Sequence, residues 1–228
     1  MSADLPLPVA VPVFPLTGAL LLPRGMLPLN IFEPRYLALV RDAMAATGAA
    51  NRIIGIIQPR TAGEPPPLYD VGCIGRIGDF RETDDGRILI ALTGVTRFRV
   101  TVELDRTTLY RQVMADYHDF PEDRDEPDPL SAAARASLED VLRVYLDAHG
   151  LSADWEAVRA ADDEALVTTL SGICPFDPVE KQALLEAEDL PERAATLTAL
   201  MAFAQGFGGG GTGGGGSGGS GGDRPTMQ

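Results

Sequence analysis

Side chains able to do covalent chemistry are few in this sequence and lie far apart. Histidine occurs only as His118 and His149, each isolated from the other and from both cysteines. A Ser–His or Cys–His nucleophile would need one of them carried across the fold to its partner and oriented there by a third group. Cys73 and Cys174 stand in apolar settings, Val-Gly-Cys-Ile and Gly-Ile-Cys-Pro, where a thiol behaves as a small buried hydrophobe. No Cys or His pair has the spacing of a metal site, so no metal is expected. Lys181 is the only lysine and sits in Val-Glu-Lys-Gln. A phosphate-binding loop needs G-x-x-x-x-G-K-[ST], and no such glycines precede Lys181. The same lysine would have to serve any Ser–Lys dyad. Carboxylates are abundant, but no pair stands out as general acid and base. The expectation is a chain without catalytic machinery and without a cofactor.

Charge narrows the partners. The formal net charge is −14, and nearly all positive charge is arginine. Nucleic-acid binding draws much of its affinity from cations meeting phosphates. An acidic chain without a basic cluster therefore argues against nucleic acid, and equally against anionic membranes. Of the 228 residues 45% are apolar and 23% charged, enough for a real core. The apolar stretches, broken by Pro or Arg, fall far short of the roughly 20 residues that span a bilayer. The opening residues, with Asp4 and several prolines, do not read as a basic-then-apolar leader. The expected location is the cytoplasm, where a disulfide is not expected.

The elements that must position any site come in two textures. Residues 9–16 are β-rich but carry Pro8, Pro12 and Pro15 at and within the run, which fits an edge strand. Residues 27–32 form a second short strand, and Glu33-Pro34 opens a helix with Tyr36, Leu37, Val40 and Met44 at helical spacing. Strands are predicted at 52–57, 71–80, 87–95, 97–104 and 110–117, with Asp84-Asp85-Gly86 as a hairpin turn. Asp119 to Asp128 is an acidic, proline-bearing stretch that reads as a solvated hinge. Helices follow. Asp128-Pro129 is the predicted start of the first, whose stripe is Leu138, Val141, Leu142, Tyr145 and Leu146. Leu166, Leu170 and Ile173 mark another, and Asp177/Glu180 and Asp189/Glu192 have capping-box spacing. The fold class is α+β: a mostly antiparallel barrel or rolled sheet with one helix over residues 1–120, then a small helical bundle over 121–206. The Gly/Ser-rich tail, 207–228, reads as disordered coil.

Several segments, in order, carry a family pattern. Val11-Pro-Val-Phe-Pro-Leu16, Leu22-Pro-Arg-Gly25 and Leu27-Pro-Leu-Asn-Ile-Phe-Glu-Pro-Arg-Tyr36 are the first. Leu68-Tyr-Asp-Val-Gly-Cys-Ile-Gly-Arg-Ile77, Asp85-Gly-Arg87 and Gly94-Val-Thr-Arg-Phe-Arg99 follow. Together they resemble the amino-terminal, substrate-binding domain of Lon proteases, as a stand-alone copy. The helical half is similar through Glu180-Lys-Gln-Ala-Leu-Leu-Glu186 and Arg193.

The resemblance implies a six-stranded PUA-like pseudo-barrel with a helical bundle behind it. It also implies a non-catalytic module that binds unfolded or extended protein segments, or a protease or chaperone partner. Candidate peptide contacts are Leu22, Met26, Leu27 and Tyr69, near the proline-rich loops. Phe14, Leu29, Ile31, Tyr36 and Phe98 read as core, and Phe32 is a further residue of the motif. Glu33 and Arg35 start the helix, and Arg97 folds over the barrel to satisfy carbonyls. Gly25, Gly72 and Gly94 read as sites of special backbone conformation. The alternative is a small-ligand or RNA-binding module, since PUA-like barrels elsewhere bind RNA.

Overall fold

Ile53-Ile-Gly-Ile-Ile has no polar side chain, and such a strand must be covered on both faces. The computed structural model, which describes residues 6–63 and 65–208, supplies both covers. The strands are β1 (Ala10–Pro15), β2 (Met26–Ile31), β3 (Ile53–Pro59), β4 (Leu68–Glu82), β5 (Ile88–Glu103) and β6 (Arg111–Asp116). They form one sheet in the order β2-β5-β4-β3-β1-β6, and a further β5–β6 pairing closes it. Among the described residues, only β1 and β3 run parallel.

Closure depends on the length of β5. Its first half pairs with β2, from Ile31↔Ile88 to Met26↔Thr93, and its second half with β6, beginning at Arg99↔Asp116. The sequence predicts two strands here; the structure has one. Against β4, Ile74 pairs with Thr96 and Gly75 with Gly94, so Val95 is an extra residue. Such a bulge bends a strand and increases its twist, which lets β5 leave β2 and reach β6.

Inside the barrel Val11, Val13, Ile53, Ile57, Ile74, Phe98 and Val113 form a small core. Phe98 fills its centre because a glycine faces it. A Cβ on Gly72 would stand 2.7 Å from the Phe98 ring and 2.7 Å from the Ile56 carbonyl. Gly72 is thus a site of close approach, and its φ is not positive.

The opposite face of the sheet, with Ile54, Ile56, Val71, Cys73, Ile77 and Leu92, belongs to a larger core that continues through Leu20, Leu21 and Leu22 into the helices. Helix α1 (Pro34–Ala45) buries Tyr36, Leu39, Val40 and Ala43 there, and Tyr36 stacks on Phe14 at 3.8 Å.

The remaining helices are α2 (Ala132–Ala148), α3 (Trp155–Ala160), α4 (Asp163–Ile173), α5 (Pro178–Glu186) and α6 (Leu190–Gly208). Asp177 and Glu180 complete a reciprocal capping box on α5. Helix α2 starts later than Asp128-Pro129 predicts. Its cap is Ser131, whose Oγ accepts from the Ala134 amide. The Leu130 amide donates instead to the Asp163 carboxylate, and the Leu130 side chain is buried. Residues 128–130 are therefore a strap to α4 rather than a first turn. The sequence does not predict α3, which is too short to show an apolar stripe. Of the predicted coil tail, residues 209–228 lie outside the described residues.

We expect Gly72→Ala to destabilise the chain by about 2 kcal/mol through overpacking. Urea denaturation measures this, and an unchanged midpoint would show that the barrel interior has spare room.

Candidate functional site

Arg97, on β5, is where barrel, hinge and bundle meet. Its Nε and Nη2 donate to the Asp123 carboxylate at 3.0 and 2.7 Å. Its Nη1 donates to the carbonyls of Leu185 and Ala187, and Nη2 also to that of Glu188. Asp123 additionally accepts from the Arg97 amide at 2.7 Å. Both side chains are buried, at 4% and 6% exposure. The acidic stretch expected as a solvated hinge is therefore clamped at its middle. A carboxylate folds inward here because the buried Arg97 guanidinium needs a counter-charge, while its remaining N–H groups satisfy the carbonyls at the end of α5. Arg193 joins the cluster by donating to the Leu184 and Ala187 carbonyls. Burial, and next the nearby Arg97 charge, push its pKa down to about 10.

Helix α5 is fastened to the sheet elsewhere too. Gln58, on β3, donates to the Pro178 carbonyl and to Gln182, and Gln182 donates to the Val71 carbonyl on β4. The Gly18 amide donates to Gln58, and the Gly18 carbonyl accepts from Lys181 at 2.9 Å. The turn before β2 is held just as tightly. Leu22 O lies so close to Gly94 that a Cβ there would stand 1.9 Å from it. Arg24 has a φ of 59°, rare for a residue with a Cβ. In that conformation its amide donates to the Gly94 carbonyl, and its guanidinium reaches Glu164 on α4 and the Asp123 carbonyl.

Between this turn and α4 lies a cleft of about 610 Å³. Leu22, Met26 and Leu27 line one wall, Thr168 and Ile173 the other, with Lys181 between. Met26 and Ile173 are each 71% exposed. A second hollow of about 390 Å³ shares Arg24 and Glu164 with the first and carries Glu122, Asp125, Glu126 and Asp128.

Three of the four candidate contacts thus share one cleft. Leu22, however, is only 2% exposed, because it packs into the core as part of the wall. Tyr69 lies elsewhere, at the start of β4, with the Arg60 guanidinium 4.8 Å from its ring. The pairing of Pro59 with Leu68 places that end of β4 beside β3, away from the cleft lining. Of the motif residues, Phe32 is exposed, since it follows the last paired position of β2. Glu33 and Arg35 pair with each other at the start of α1. Ile173 lines the cleft, although its helical spacing with Leu166 and Leu170 reads as part of the bundle's inner stripe.

Neither histidine lines the cleft: His118 is an exposed partner of Asp116, and His149 packs in a tilted arrangement against Tyr145. Burial pushes the Cys73 and Cys174 thiols up, which disfavours the nucleophilic thiolates. The cleft thus combines an apolar rim with Thr168 and Thr169, the Lys181 ammonium, the Arg24–Glu164 ion pair and Asp162.

The sequence matches the family model of the ATP-dependent protease La (LON) substrate-binding domain over residues 10–202. The chain belongs to this Lon domain family. It is similar to Lon protease 2 of Myxococcus xanthus, with 27% identity over 203 residues, 86% of this chain and 24% of that protein. The Lon protease of Escherichia coli strain K12 is 24% identical over 200 residues, again 24% of its length. The chain therefore spans about a quarter of the length of these curated relatives. Among solved structures, the Lon N-terminal domain protein from Xanthomonas campestris superposes with a TM-score of 0.61 at 24% identity, covering 83% of this chain and 97% of that one. The N-terminal domain of Mycobacterium avium complex Lon protease gives 0.58 at 18% identity, covering 85% and 98%. The α+β architecture of the Lon N-terminal domain is thus this chain's fold.

Removing one partner of a buried ion pair leaves the other charge uncompensated. We expect Asp123→Ala to cost this Lon-type domain about 3–5 kcal/mol in chemical denaturation. A loss near zero would mean that the α5 carbonyls alone satisfy Arg97.

Proposed function

We propose that this Lon-type domain binds extended or unfolded protein segments without acting on them chemically. In this reading it serves bacterial cytoplasmic quality control by presenting clients to a protease or chaperone partner. The 1–120 part supplies one wall of the site and the 121–206 part the other. The observation that carries the reading is the apolar rim of the cleft, where Met26 and Ile173 stand exposed across a cavity of about 610 Å³. Concave sites with exposed apolar side chains are where ligands bind, and methionine adapts to varied partners. Affinity near micromolar, about −8 kcal/mol, suffices for a client that must be handed on. The relatives named above are bacterial Lon proteins, which supports the assignment to proteolysis. Charge weighs against an RNA ligand, since Glu122, Asp125, Glu126 and Asp128 on the adjoining hollow repel phosphates.

The test is fluorescence anisotropy with labelled peptides rich in Leu and Phe. Met26→Asp and Ile173→Asp place a charge on the rim, and each should weaken binding about tenfold or more. The unfolding midpoint should not move, since both side chains are exposed. Undiminished binding by both variants would place the peptide site elsewhere.

A further inference from the structure

Among the described residues, Lys181 is the one cation lining the cleft that is not ion-paired with a carboxylate. It is only 9% exposed, yet it lines the cavity. Its ammonium donates to the Gly18 carbonyl at 2.9 Å and the Gly172 carbonyl at 3.3 Å. An ammonium has three donors, so one N–H is left over. The other charged groups of the cavity are already engaged: Arg24 with Glu164, and Asp162 as the cap of the Ala165 amide.

Resting on the reading of this cleft as a peptide site, we propose that Lys181 anchors an acidic side chain of the bound segment. A carboxylate supplies what the third N–H lacks, as a short charge-assisted hydrogen bond. The rim residues Met26 and Ile173 are exposed while Lys181 is buried between the walls. A peptide lying along the rim therefore reaches Lys181 with a side chain rather than with its main chain, and Glu or Asp beside an apolar residue fits best. The carboxylates beyond Arg24, on the second hollow, exclude a polyanion but leave room for a single acid at the Lys181 end. Clients selected this way carry an apolar residue with an acidic neighbour.

The experiment uses the whole chain and labelled peptides blocked at both termini. They are identical Gly/Ser-based sequences with one Leu, followed by either Glu or Gln. At low salt the Glu peptide should bind about tenfold more tightly than the Gln peptide. Lys181→Met should make the two equal, and Lys181→Arg should keep the preference; the unfolding midpoint of each variant is measured alongside. Equal binding of both peptides to the unaltered chain overturns the anchor while leaving the apolar cleft intact, and needs no variant to fold. A preference for Glu that survives in a folded Lys181→Met chain overturns it as well. A Gln peptide with a free C-terminal carboxylate that matches the Glu peptide overturns the side-chain assignment. If neither peptide binds at all, the cleft reading itself fails, and the anchor with it.

Discussion

The Arg97 guanidinium has all five of its N–H donors engaged inside the protein, and the tertiary structure is arranged to meet them. Two go to Asp123 and three to carbonyls at the end of α5 and just beyond it. Burying that charge without this set of acceptors would cost several kcal/mol. The barrel strand, the acidic connection and the fifth helix must therefore arrive at one point together. Helix ends leave carbonyls without partners, and an arginine fork is the side chain whose geometry suits several acceptors at once. The pair holds barrel and bundle in one fixed relation.

The cleft is a consequence of that relation. Its walls come from the turn preceding β2 and from α4, far apart in sequence, and neither makes a cavity alone. Arg24 spans from one wall to Glu164 on the other and to the backbone of Asp123. Its left-handed backbone places strain at the site, where strain is often kept for function. Helix α5 does the same at the opposite end with its polar side chains. Lys181 and Gln182 reach the Gly18 turn and β4, while Leu184 and Leu185 enter the core. A preformed cleft with an exposed apolar rim lowers the ordering cost of the peptide binding proposed above.

Much of this was legible in the sequence. The apolar run at 53–57, the capping box at Asp177 and the proline at the start of α1 each point to one local structure. Order along the chain then gives β-rich followed by helical. Features that depend on distant partners were not legible. Residues 119–128 look like a solvated hinge because nothing local shows that Arg97 draws Asp123 inward. The two strands predicted on either side of residue 96 are one strand, since a bulge is visible only against its partner β4. Leu22, Met26 and Leu27 lie near one another in the chain and reach the cleft together, whereas Tyr69 shares their proline-rich surroundings but not their place. Ile173 looks like core because helical spacing does not tell which end of a stripe runs past the bundle. In the sequence Lys181 is only a lone lysine without a phosphate loop, because the Gly18 and Gly172 carbonyls that bury it meet it only in the fold.

The central claim, that extended chain is held between the two walls of this cleft, is tested most directly by amide hydrogen exchange with and without a saturating apolar peptide. The account predicts slowed exchange at residues 18–28 and 162–173 together, with the rest of the sheet unchanged. Protection confined to the start of β4 around Tyr69, or no protection in either wall, would contradict it.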